Sequence, residues 1–256
     1  MELHLKSESK IRKTAKTFLR NLKDDIDIIN PKFSDWWLNY LSAQEERYLN
    51  NLKFLAQFPK NIRILEIGSV PGHFHALLKH LGYKIIGIDI APERIESFLK
   101  KYRMNIEKID IEQQLLPFPD DSFDLILFNE VIEHLRLNPF KALREIFRVM
   151  KPEGTLFLST PNITFLHRVN FFLHGKSFLG NPVKIFQKVE NLGHIGHYRI
   201  YTLSELKEML NHVGFKINSV FYRGRPNIHS LKDKLILKLS PKRRFKKKTL
   251  HILASK

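Results

Sequence analysis

Short apolar runs and amphipathic stretches alternate along most of this chain, and the alternation starts at Arg63. Arg63 to Ile67 reads R-I-L-E-I, runs into Gly68, and is followed by a second glycine, Gly72, where a helical pattern opens that lasts to about Leu81. An apolar run this short, bounded by turn residues, predicts a buried strand. Gly82 is a natural stop for the helix behind it. The unit then recurs. Lys84–Asp89 predicts a second strand, the stretch from Pro92 to about Tyr102 a helix, and Asn105–Ile109 a third strand ending at Asp110. Phe123–Phe128 (F-D-L-I-L-F) predicts a fourth strand, Pro139–Met150 an amphipathic helix, and Thr155–Thr160 a fifth strand. Strands alternating with helices of this length predict an α/β fold, a doubly wound and mostly parallel sheet with helices on both faces.

The two ends of the chain follow other patterns. Residues 1 to about 30 are polar with short apolar repeats, which predicts one or two weakly packed helices. From Ser34 to Phe58, Trp37, Tyr40, Leu41, Tyr48, Leu49, Leu52, Leu55 and Phe58 recur at three- and four-residue steps, the mark of one helical face, and Pro59 stops it. A boundary is therefore expected after Phe58, with a helical extension over 1–58 and the α/β domain over 59–256. Residues 163 to 200 break the rhythm. They hold one apolar helical stripe (Phe165, Leu166, Val169, Phe172 and Leu173) and then a Gly- and His-rich loop, and an irregular insertion of this length near strand ends reads as a lid. A helix from Leu203 to Val213, capped by Thr202 or Ser204 and ended by Gly214, restores the pattern. Phe215–Tyr222 and Thr249–Ser255 predict the last two strands, the final one antiparallel.

Composition narrows the chemistry. The 256 residues are 43% hydrophobic, enough for a sizeable core. No cysteine is present, which excludes disulfides, thiolate metal sites and cysteine nucleophiles. The charged start and the lack of any long apolar run predict no leader and no membrane span, hence a cytoplasmic protein. Net charge is +17, and from Phe221 to Lys256 twelve Lys or Arg stand against one acid, Asp233. That basic segment, about 223–248, suits an anionic partner: RNA, a nucleotide-linked acceptor or the surface of an acidic membrane.

The site residues come from the strand ends, where ligands of parallel sheets collect. Gly68 lets a ligand approach the backbone, and Gly72 starts the helix close to the strand, with its free N–H groups facing the turn. Asp89, twenty-one residues after Gly68, suits the two hydroxyls of a ribose. Asp110 could accept from an adenine amino group. The full nicotinamide-dinucleotide pattern would need glycine at Val70 and His73. His194 and His197 form an H-x-x-H pair on the Gly-rich loop, read as polar loop residues, and no metal is expected.

Four segments carry a resemblance: I-L-E-I-G-S-V-P-G, I-G-I-D-I-A-P-E, L-P-F-P-D-D-S-F-D-L-I-L-F-N-E-V-I-E-H-L and L-R-E-I-F-R-V-M-K-P-E-G-T-L-F-L-S-T-P-N. With a weaker match in H-Y-R-I-Y-T-L-S-E-L-K-E-M-L-N-H-V-G-F they span about residues 62 to 220, and over that span the chain resembles class I S-adenosylmethionine-dependent methyltransferases of the type 11 and type 12 group. The resemblance implies a Rossmann-like sheet, S-adenosylmethionine as cofactor, and roles for particular residues. Glu66, Gly68, Ser69 and Gly72 would lie against its methionine and ribose parts. Asp89 would take the ribose hydroxyls, with Ile90 against the adenine. Asp110 and the Ile111 N–H would meet the adenine edge, and Asn129 would line the methionine end. His134, in E-V-I-E-H-L, is the candidate base for a hydroxyl acceptor; His167 and His174 are candidates for acceptor contact. The family's middle glycine is Val70 here, followed by Pro71. Valine cannot take positive φ cheaply, so the turn must differ there in detail.

The expected reaction is O-methylation of a small-molecule, lipid-linked or nucleotide-linked acceptor of sugar, quinone or phenol type. RNA methylation through the basic segment is the first alternative, although F-N-E-V lacks the Asn/Asp-Pro-Pro-aromatic signature of base amino-group methylation. A cofactor-binding partner subunit without catalysis is the second. Peripheral contact with a membrane is compatible with either enzyme reading.

Overall fold

The computed structural model describes residues 2–177, 179, 181–192, 196–224 and 246–256. Its strands are β1 (Arg63–Ile67), β2 (Lys84–Asp89), β3 (Ile106–Lys108), β4 (Phe123–Asn129), β5 (Met150–Pro161), β6 (Lys216–Arg223) and β7 (Thr249–Ser255). They form one seven-stranded sheet in the order β3-β2-β1-β4-β5-β7-β6. β1 pairs β2 in parallel, Ile64 opposite Ile85, and β2 pairs β3 in parallel, Gly87 opposite Ile106. β7 runs antiparallel to both neighbours, with Leu156 opposite Ala254 and Val220 opposite Ile252. The mostly parallel sheet with an antiparallel last strand is the one the apolar pattern predicts. Ile64, Leu65, Leu125, Ile126, Leu127, Phe157 and Leu158 are buried within it, as expected of strands covered on both faces.

The chain divides into two compact units: Met1–Asp110 with Phe123–Leu125, and Ile111–Ser122 with Ile126–Lys256. The first unit contains α1 (Glu2–Asn21) and α2 (Pro31–Leu55) together with β1 to β3. α2 begins at Pro31, a residue suited to a first helical position, and the Asn30 side chain accepts from the Lys32 N–H at 3.0 Å. Its buried face is Trp37, Leu41, Tyr48, Leu49, Leu52 and Leu55. The expectation of weak packing near the start of the chain is corrected. Ala15, Leu19 and Leu22 are buried, and Phe18 stacks on His80 with ring centroids 4.3 Å apart. The buried Asp25 carboxylate accepts from the Tyr102 hydroxyl at 2.6 Å and pairs with Lys101. Apolar contact and an anchored charge hold this segment to α3 (His73–His80) and α4 (Glu96–Lys101).

In the second unit, α5 (Pro139–Val149) starts on an Asn138 cap and buries Ala142, Leu143, Ile146 and Val149. Its Arg148 guanidinium ties down the Pro-rich connection before β4, donating to the carbonyls of Leu116 (3.0 Å) and Phe118 (2.9 Å) and to Asp120 (2.8 Å). β5 is longer than its sequence pattern, because the K-P-E-G segment stays in the strand while Glu153 alone turns to φ 62°. The insertion over 163–200 contains two helices, α6 (Leu166–Leu173) and α7 (Pro182–Leu192), where the sequence suggested one. At its described positions the apolar stripe is divided: Phe165 is buried, whereas Phe172 and Leu173 are 71% and 74% exposed. α8 (Leu203–Val213) is closed by a capping box between Thr202 and Glu205. Most of the basic segment, residues 225–245, lies outside the described residues. Among the described residues no helix is long and apolar enough to cross a membrane.

Candidate functional site

In the first unit the site is the turn after β1. Gly68 stands at φ 75° and Gly72 at φ 85°, conformations that side-chain-bearing residues avoid. A Cβ on Gly72 would also come within 2.9 Å of Ile95 and 3.1 Å of Phe98, so the space is closed as well as the backbone. Between them, Val70 keeps negative φ and is joined to Pro71 by a cis peptide bond. Negative φ at Val70 is what a β-branched residue at this position requires.

Hydrogen bonds fix this turn from three sides. Asp89, at the end of β2, accepts from the Val70 N–H through one oxygen (3.0 Å) and from the Ala91 N–H through the other (2.9 Å). Burial pushes the Asp89 carboxyl above its usual range, and the two N–H bonds pull against it. The Ser69 hydroxyl donates to the Glu66 carbonyl at 2.9 Å, and Glu66 itself is buried with one oxygen 3.0 Å from His75 Nδ1. Trp37 Nε1 donates to the Pro71 carbonyl at 3.0 Å. That role of Trp37 was not readable from the sequence, where it is one more apolar position on a helix.

Behind the turn, His73 is fully buried beside Trp37 (4.3 Å between centroids), Tyr48 (6.3 Å) and Phe98 (6.3 Å). Neither ring nitrogen has a hydrogen-bond partner among the described residues. Burial lowers the His73 pKa to about 3, so the ring is neutral and acts as one more aromatic in the packing.

The arrangement fits an adenosyl cofactor. Each Asp89 oxygen has accepted one N–H and keeps a second lone pair for a ribose hydroxyl. The next residue, Ile90, is 50% exposed, an open apolar surface of the kind an adenine ring covers. Asp110 is half-buried two residues beyond β3, and the Ile109 N–H bonds the Asp89 carbonyl at 2.9 Å.

In the second unit, Ile111 is buried, and Asn129 ends β4 with its Oδ1 buried and without a hydrogen-bond partner among the described residues. A buried acceptor of this kind suits an ammonium donor from a ligand. Glu130 follows at φ 57°, its N–H bonded to the Ser159 carbonyl (2.8 Å) and its carboxylate to the Ser159 hydroxyl (3.0 Å). A short 3₁₀ turn, Ile132–His134, then presents Glu133 and His134.

Glu133 is completely buried. Its Oε2 accepts from the Thr160 hydroxyl at 2.9 Å, and its backbone carbonyl accepts from the N–H groups of Tyr198 (2.7 Å) and Arg199 (3.1 Å). Those two bonds hold the loop that carries His197. The His197 ring lies 5.2 Å from that of His134, at 65° to it, and its Nε2 is 4.0 Å from Glu133 Oε1. Burial first, then the neighbouring His134 and Arg168, lower the His197 pKa to about 4. The sequence paired His197 with His194, which lies outside the described residues together with the His167 side chain; His174 is exposed and bonds the Asn170 carbonyl.

The family model described as a methyltransferase domain matches residues 40–220. A mitochondrial ubiquinone biosynthesis O-methyltransferase of Dictyostelium discoideum is 29% identical over 182 residues, 59% of this chain and 56% of that protein. The chain thus spans little more than half the length of that relative. An uncharacterized protein of Methanocaldococcus jannaschii is 33% identical over 174 residues, 66% of this chain and 70% of its own. The crystal structure of an S-adenosylmethionine-dependent methyltransferase from Archaeoglobus fulgidus shares the fold with a TM-score of 0.61 at 23% identity, covering 83% of this chain and 94% of that one.

Proposed function

Because the chain belongs to the methyltransferase domain family and its cofactor is S-adenosylmethionine, we propose that it transfers a methyl group to a hydroxyl oxygen of a small acceptor. The acceptor is of sugar, quinone or phenol type, free or carried on a lipid or nucleotide. The observation that carries this reading is the family match over residues 40–220, a span that includes every strand-end residue expected to serve the cofactor. The choice of oxygen is supported by the Dictyostelium relative, whose name is that of an O-methyltransferase.

When bound, S-adenosylmethionine supplies an activated methyl on a sulfonium. The chain's own residues then have to bind, orient and handle a proton. Asp89 would hold the ribose hydroxyls and Ile90 the adenine face, with Asp110 and the Ile111 N–H toward the adenine edge. Glu66, Gly68, Ser69 and Gly72 would form the wall of the turn, and Asn129 Oδ1 would accept from the ammonium of the methionine part. A hydroxyl acceptor must also shed its proton. We assign that step to the group formed by Glu133, His134 and His197, which contains the base expected from the sequence.

The test is methyl-labelled cofactor with the purified full chain and a panel of phenols, quinols and sugars. Label should enter hydroxyl-bearing compounds and not the same compounds with that hydroxyl already methylated. Label entering RNA in preference to every small acceptor would overturn the reading. The basic stretch from Phe221 to Lys256 favours that second reading, and it predicts RNA binding that weakens steeply as salt is raised. Cofactor binding with no transfer to any acceptor would instead favour a partner subunit without catalysis.

A further inference from the structure

We propose that Glu133, His134 and His197 form a binding site for one divalent transition-metal cation of the zinc or cobalt type. This inference rests on the methyl-transfer reading only for the use made of the ion. The site itself stands on geometry. Each of the three residues offers one ligand atom, and these atoms lie within 4.8 Å of one another. Two imidazoles and one carboxylate are the donor set of an open zinc site, which leaves a coordination position for water or a substrate oxygen.

Three features separate the group from a chance meeting of polar residues. The Glu133 carboxylate is fully buried, and the Thr160 hydroxyl holds Oε2 at 2.9 Å, an outer contact of the sort that orients metal ligands. The His197 loop is fastened to the Glu133 carbonyl by two N–H bonds. And the 4.0 Å between His197 Nε2 and Glu133 Oε1 exceeds a hydrogen bond, so the two do not satisfy each other directly. Ligands about 2.0–2.1 Å from a tetrahedral ion stand about 3.3 Å apart. Both imidazoles are part-exposed and can close that difference by rotating toward the fixed carboxylate. Arg168 is the competing cation facing Glu130 and Glu133, and its guanidinium is the alternative partner the ion must coexist with.

The chemistry follows. An acceptor hydroxyl in the open position becomes more acidic, as metal-bound water does. The proton leaves to solvent, the acceptor oxygen forms a bond to the methyl carbon, and the carbon–sulfur bond breaks to give a neutral thioether. No oxidant or reductant is needed. His134 then serves as a ligand, and the ion takes over the work the sequence assigned to a free base.

The experiment titrates the untagged full chain with cobalt(II) and follows its visible absorption, with calorimetric binding of S-adenosylhomocysteine measured on the same preparations. One cobalt per chain should bind, and zinc should displace it. His197→Ala should weaken binding at least tenfold, as should Glu133→Gln, and Thr160→Val should weaken it about tenfold. His197 is on a part-exposed loop, so its variant keeps the test informative if Glu133→Gln fails to fold. Absence of saturable cobalt binding, or binding unchanged in His197→Ala, overturns the proposal. Homocysteine-derivative binding without cobalt binding sinks the metal site alone, whereas cobalt binding without it leaves the site standing and sinks the cofactor reading.

Discussion

The turn at Gly68–Gly72 and the insertion over 163–200 hold their side chains in opposite ways. The turn is backed by a closed packing of Trp37, His73, Phe98 and Ile95, its backbone is bonded to Asp89 and Trp37, and the Ser69 hydroxyl donates to the Glu66 carbonyl. The insertion carries large apolar side chains outward: Phe172 and Leu173 on α6, and Val183 and Phe186 on α7. A surface that must present fixed donors to one cofactor needs rigidity. The contrast predicts that substitutions behind the turn cost stability and that substitutions at the exposed positions of the insertion do not.

The largest effect is expected at Trp37. Trp37→Ala removes a fully buried indole and the bond to the Pro71 carbonyl, and should cost about 3–5 kcal/mol in urea unfolding. A loss below about 1 kcal/mol would show that α2 does not support the turn.

Next is the pH dependence from His73. Its folded-state pKa of about 3 lies below the ordinary 6.5, so the unfolded chain binds the proton first. The associated stability is fully present above pH 6.5 and is lost as pH falls from there toward 3, by roughly 3 kcal/mol at pH 4. Burial pushes the neighbouring Tyr48 above its ordinary value, so it stays neutral throughout. His73→Phe should flatten that part of the profile in unfolding measured at several pH values, and an unchanged slope would remove His73 as its source.

Gly72→Ala should cost about 2–3 kcal/mol, from left-handed backbone and from the clash with Ile95 and Phe98. At the small end, Phe172→Ser on the insertion should stay within about 0.5 kcal/mol in the same measurement. A larger loss would mean that this face is covered, and the comparison would fail there.

The same contrast explains what could be read from the sequence. β1, β2, β4 and the residues at their ends, Gly68, Asp89 and Asn129, are legible because strand, turn and helix signals are local. The helix stop at Gly214 and the cap at Thr202 are legible for the same reason. Trp37 over Pro71 is a contact across 34 residues, and nothing in the apolar face of α2 distinguishes the one indole that also donates a hydrogen bond. His197 meets Glu133 across 64 positions, through a loop held by backbone bonds that any residue types could make. The covering of the α6 stripe was not legible for a different reason: helical periodicity reports a common face and not what covers it. Val70 shows the reverse case: valine cannot take positive φ cheaply, and its φ in the turn is negative.

The central claim is that the turn and Asp89 hold an adenosyl cofactor. Calorimetric titration of the full chain with S-adenosylhomocysteine, beside Asp89→Ala, tests it most directly. The account predicts saturable binding at one per chain, weakened by about 1–3 kcal/mol in the variant, the cost of leaving buried ribose hydroxyls unpaired. No binding to the wild-type chain, or equal binding to both, would contradict it.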